Sequence, residues 1–142
     1  MLRPAMNPSK QVDDLAFTLL RIGAGTIVIP HGVSQLLGGN ASFAHGALAL
    51  IGVSPSSMTS YLIVYLELIG GVCLVFGFFT RVFAAALAIE MMWVAAVFWA
   101  NPSEQHDEFE PWEFPLVLAL LLLLITAVGG GPWSLDRWLE KR

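Results

Sequence analysis

The 142 residues are 56% apolar and 13% charged, with a mean hydropathy of +0.71 and a formal net charge of −4. That composition leaves too little polar surface for an ordinary soluble domain and points to a membrane protein. The one cysteine, Cys73, excludes an intramolecular disulfide, a dithiol redox pair and a cysteine-ligated cluster built by this chain alone.

The first apolar stretch, Leu15–Leu37, is long enough to cross about 30 Å of hydrocarbon, which takes roughly 20 helical residues. It is too long for a signal h-region, contains Arg21 and lacks a small-x-small pattern before Asn40, so it is expected to stay as an anchor. Gly23, Gly25 and Gly32 predict a closely packed neighbour. Pro30 predicts a kink just before His31. Phe43, Ala47, Leu50 and Ile51 then recur at helical spacing, which predicts a short interfacial helix over Ala41–Gly52.

The second stretch, Met58–Phe79, carries Glu67 and the small residues Gly70, Gly71 and Gly77. A short turn with Arg81 leads to the third, Val82–Ala100, which carries Glu90 and the packing residues Ala84 and Ala88. The connection Asn101–Glu113 holds Glu104, Asp107, Glu108, Glu110 and Glu113 and reads as a hydrated cap. His106 beside Asp107 and Glu108 belongs to that cap, and no metal site is assigned. The fourth stretch, Phe114–Gly130, is so rich in large aliphatics that much of its circumference should face lipid or a partner subunit. Gly129–Gly131 followed by Pro132 reads as a helix C-cap.

The basic residues set an orientation. Arg3, Lys10, Arg81, Arg137, Lys141 and Arg142 all fall in segments that can share one side, and by the positive-inside bias both termini and the Arg81 turn face the cytoplasm. Tyr61, Trp99 and Trp112 then fall near the outer boundary, Trp133 and Trp138 near the inner one. The expected fold is all-α: one domain over residues 1–142, a four-transmembrane-helix bundle in the cytoplasmic membrane, without repeats.

Arg21, Glu67 and Glu90 lie inside the spans. Counted by helical rise, Arg21 is about 9 Å above the inner face, Glu90 about 12 Å and Glu67 about 20 Å. A charge at mid-bilayer costs about 2.5–3.5 kcal/mol, so pairing is expected, with the Arg21 fork serving one or both acids. One arginine against two acids leaves one negative charge over, and one of Glu67 and Glu90 is expected to hold a proton. His31, Gln35 and Glu113 form a second polar layer within about 6 Å of the outer face. The plainer alternative is that these groups only fix helix register. Only His31 among the histidines lies in a span, so two-histidine haem ligation is excluded within one chain, and neither zinc-ligand spacing nor a phosphate-cradling glycine loop occurs.

Taken together, Arg21 with His31-Gly32-Val33-Ser34-Gln35-Leu36, Glu67-Leu-Ile-Gly70-Gly71 leading through Gly77 to Thr80-Arg81, Glu113, and Gly131-Pro132-Trp133-Ser134-Leu135-Asp136 resemble the DoxX family. The resemblance runs from about Leu15 to Trp138, and no piece is specific by itself. Gln35 stands where that family often has lysine, and Pro132 where it often has a basic residue. The resemblance implies a small four-helix membrane protein related to the membrane subunit of a thiosulfate:quinone oxidoreductase. It makes Arg21, His31, Glu67 and Arg81 the family-like polar residues.

The expected function is a membrane subunit of a quinone-linked redox system in which Arg21, His31, Glu67 and Glu90 bind a quinone-like ligand or relay its protons. No catalytic residue is assigned. Gln35, Arg81, Glu113 and Asp136 are expected to make structural contacts, with Arg81 and Asp136 tying the short turn to the C-terminal segment. Electrons would come from a partner subunit, since the chain has no redox ligands of its own. The bilayer and a second copy of the chain are further expected partners, and nucleic acid is not. The alternatives are a non-enzymatic membrane adaptor or assembly factor, and a small-solute transporter.

Overall fold

The computed structural model describes residues 8–38, 57–100 and 112–142. Among them the chain is helical, with α1 over Pro8–Gly38, α2 over Ser57–Phe76, α3 over Thr80–Ala100, α4 over Glu113–Val128 and a short α5 over Leu135–Leu139. The segments expected to form the interfacial helix and the acidic cap, His106 included, lie outside the described residues.

Helix ends differ from the apolar runs for local reasons. α1 begins well before Leu15, opening on Pro8, whose missing N–H is no loss in a first turn. It also continues through Pro30 to Gly38, so that proline does not end the helix. The second apolar run extends to Phe79, but α2 stops at Phe76. Gly77 takes a positive φ of 71°, and the Gly77 and Phe78 N–H groups donate back to the Leu74 and Cys73 carbonyls at 3.2 and 2.9 Å. That paired return is the Schellman ending, for which a residue without Cβ is suited. α4 ends at Gly129, also at positive φ, whose N–H reaches the Ile125 carbonyl.

The long helices form two close pairs. α1 packs chiefly on α2 and α3 on α4, while α2 meets α3 along a thinner seam and α1 barely touches α4. In the first pair the backbones nearly touch: a Cβ added at Gly25 would lie 2.6 Å from the Gly71 carbonyl oxygen. Gly23 is different, with open space around its missing side chain, so it takes no part in the close packing expected of it. In the second pair Ala84, Leu87 and Ala88 bury completely against Ala119, Leu122 and Ile125. Gly70 against Leu87 brings α2 onto this core.

The outward surface is apolar. Val117, Leu120, Leu123 and Leu124 of α4 are exposed, as expected of a helix with much of its circumference turned away from the bundle. α3 is long and apolar enough to cross a bilayer by itself, and Tyr61–Phe76 and Glu113–Val128 are shorter apolar helices.

Candidate functional site

Two polar centres lie inside the bundle, separated along its axis: Arg21 is level with Leu74 and Val75 in the last turn of α2, whereas Glu67, opposite Gly32 and Gln35, lies roughly two turns away, and the lean of the side chains adds to that distance. Each Cα–Cβ bond tilts toward its own helix N-terminus. α1 and α2 are joined as neighbours running in opposite senses, so Arg21 leans toward the Pro8 end and Glu67 toward the Ser57 end.

At the first centre Arg21 is 1% exposed. One terminal nitrogen donates to the Leu74 carbonyl and, at 3.0 Å, to that of Val75; the other donates to the Trp133 carbonyl at 3.0 Å. The guanidinium thus caps the final turn of α2, where free carbonyls and the helix dipole favour a cation, and pins the loop after α4. Its three hydrogen bonds all go to backbone carbonyls. The expected Arg21/Glu67/Glu90 layer is therefore not formed. Helical rise gives a residue's height, but it gives neither its rotation about the helix nor the lean of its side chain.

The loop that Arg21 holds is fixed again a few residues on. The Asp136 carboxylate accepts from the Phe79 and Thr80 N–H groups at 2.7 and 2.9 Å, capping α3, while the Asp136 N–H donates to the Gly77 carbonyl at 2.9 Å. The turn and the C-terminal segment are thus tied as expected, but Arg81 is not the partner. Its guanidinium lies beside Gly129, where a Cβ would come within 2.9 Å of Nε. Ser134 caps α5 by accepting from the Arg137 N–H at 3.3 Å. Gly77 is essential to this centre, because a Cβ there would fall 2.6 Å from an Arg21 nitrogen and 2.5 Å from Ser134 Cβ. Ser134 and Thr80 were not legible as part of the site. Ser134 did carry a signal, a cap residue two positions before an acid in a first helical turn.

At the second centre Glu67 is 3% exposed and accepts from Gln35 Nε2 at 2.8 Å. Gly32 leaves room for it: a Cβ there would lie 3.1 Å from Glu67 Cβ. Gly70 packs on Leu87, and three residues further along these antiparallel helices Glu67 and the half-buried Glu90 fall on the same seam. Glu90 Oε2 and Gln35 Oε1 are both enclosed without a hydrogen-bond partner. Two carboxylates and an amide thus share an apolar interior with the arginine engaged elsewhere, a set able to accept hydrogen bonds or pass protons. His31, one helical turn from Gln35, is exposed and lies 6.2 Å from the Phe114 ring. Glu113 is exposed in the first turn of α4. Among the described residues no three His, Cys, Asp or Glu side chains are grouped to hold a metal ion.

Comparison with known proteins adds a family. A protein of Haemophilus influenzae described as uncharacterized is 27% identical over 148 residues, covering 96% of this chain and 100% of that protein. No solved structure matches. The DoxX family model matches residues 16–102, which include Arg21, Gln35, Glu67 and Glu90 and stop short of the C-terminal loop. The chain belongs to the DoxX family, a family of membrane proteins.

Proposed function

We propose that this protein crosses the cytoplasmic membrane four times, through α1 to α4, with both termini inside, and serves as the membrane subunit of a quinone-linked redox system. In this reading Glu67, Gln35 and Glu90 receive the polar head of a quinone-like ligand and exchange its protons, with His31 toward the outer boundary. Arg21 holds the bundle together and does not touch the ligand. Family membership supports a membrane protein with redox links. The exposed apolar faces support four crossings, since α3 spans about 30 Å by helical rise and its neighbours pack along it.

The observation that carries the reading is the pair of enclosed, unpartnered acceptors, Glu90 Oε2 and Gln35 Oε1, beside a buried Glu67. Such groups cost about 1–3 kcal/mol each when left unsatisfied, and since both are acceptors it is the O–H groups of the reduced, quinol form of the ligand that donate to them and gain that amount back. Electrons would pass to or from the ligand through a partner subunit. The test is thermal stability of the detergent-purified protein with and without a short-chain quinone held in its reduced, quinol form. Wild type should be stabilised, and Glu67→Gln and Glu90→Gln should fold and lose the shift.

A second reading is a non-enzymatic adaptor or assembly factor. It is favoured by the wholly backbone-directed bonding of Arg21, which gives the one buried cation of the described bundle a structural task. Absence of any quinone shift in the wild type would select it.

A further inference from the structure

A groove of about 780 Å³ opens at the Arg81 end of the bundle, between the start of α1, the start of α3 and the loop after α4. It is separate from the Glu67 centre, and its walls carry charges of both signs. Asp13 and Asp14 come from α1 and Glu140 from the chain end; Arg81 comes from α3 and Arg137 from α5. Asp136 also borders it but is occupied in capping α3. Four acids against two arginines leave the groove negative, so a free anion is a poor match and a zwitterion with an ammonium group is a good one.

Two further observations point to a ligand. Thr80 is fully buried, lines the groove, and its hydroxyl has no hydrogen-bond partner. Gly130 covers that hydroxyl with bare backbone and keeps the wall thin: a Cβ there would stand 3.0 Å from Thr80 Oγ1 and 2.6 Å from Ser134 Oγ. Beyond the charges the walls turn apolar, through Phe79, Val82, Val128 and Leu139, each about half exposed. An occupant must therefore combine a phosphate for Arg81 and Arg137, an ammonium for the acids and hydrocarbon for the apolar rim.

We infer that this groove binds a phospholipid whose head group carries a primary ammonium, as in phosphatidylethanolamine. Phosphate lies between Arg81 and Arg137, against the wall that Thr80 and Gly130 form, and the ammonium donates to Asp13, Asp14 and Glu140. A choline head group has the same charge but no N–H to donate, and a glycerol head group has no cation at all. The acyl chains leave along Phe79 and Val82.

The test reconstitutes the full chain in phosphatidylcholine nanodiscs, with phosphatidylethanolamine or phosphatidylglycerol added at equal fraction, and reads the melting midpoint. Phosphatidylethanolamine should raise it by roughly 2–4 °C over phosphatidylcholine alone, and phosphatidylglycerol should not. The double variant Asp13→Asn with Asp14→Asn, and separately Arg81→Gln, should each abolish that difference. If one variant melts early in phosphatidylcholine alone, the other gives the reading. Equal or larger stabilisation by phosphatidylglycerol, a difference that survives both variants, or an equal shift from water-soluble glycerophosphoethanolamine in detergent would each overturn the assignment.

Discussion

Arg21 spends three hydrogen bonds on carbonyls drawn from two distant parts of the chain, and the Trp133 carbonyl lies 112 residues further along. Removing the guanidinium strands those carbonyls in a buried site. Arg21→Gln should therefore destabilise by about 2–5 kcal/mol, since each buried carbonyl left unsatisfied costs about 1–3 kcal/mol and the shorter amide can serve at most some of them, as read by unfolding in mixed micelles. Arg21→Lys should recover only part of this, because an ammonium cannot fork between the α2 end and the loop. Glu67→Gln should differ sharply, costing about 1 kcal/mol or less, since the new amide oxygen still accepts from Gln35. At this scale hydropathy singled out Arg21, Glu67 and Glu90 correctly as buried or half-buried polar groups. Their partners were not legible, because heights counted from the ends of the apolar stretches assume that those ends share one plane, whereas α1 begins well before Leu15 and Arg21 lies level with the last turn of α2, away from both acids.

Two glycines on α1, two positions apart, make a sharp test of helix pairing. Gly25→Ala places a methyl against the Gly71 carbonyl and must push α1 off α2. A loss of roughly 1–3 kcal/mol in thermal or denaturant unfolding is expected, as for other overpacked contacts. Gly23→Ala meets nothing within 4 Å and should be neutral or stabilise by up to about 1 kcal/mol through helix propensity. A run of small residues in sequence shows that close packing is available without showing which residues use it; the face turned to the partner decides. The Gly77 position carries the same lesson for helix ends. Apolarity continues to Phe79, but the backbone reverses at Gly77, where a positive φ costs little, while Gly70 and Gly71 stay helical.

At the scale of the molecule, the pairing of α1 with α2 and α3 with α4 follows chain order but could not be ranked from composition, since all four helices offer apolar faces. Orientation is legible only through the basic residues. It is checked by placing a thiol at the chain end: Lys141→Cys, in a Cys73→Ser background, should resist a membrane-impermeant maleimide in intact cells and react after permeabilisation.

The clasp around Arg21 also bears on how the protein is made. Trp133 and Asp136 satisfy groups near residues 21 and 77–80, so these contacts join the start of the chain to its end. During synthesis α1 to α3 are complete long before the segment that stops Arg21 from facing α2 with an open side and caps α3. A nascent chain halted after α4 holds every long described helix yet lacks both ties, and it should remain protease-sensitive and open to quality control until Trp133 and Asp136 emerge. Biogenesis thus ends with a latch, and mutations in the short C-terminal loop should lower the amount of protein accumulated more than the function of the molecules that mature.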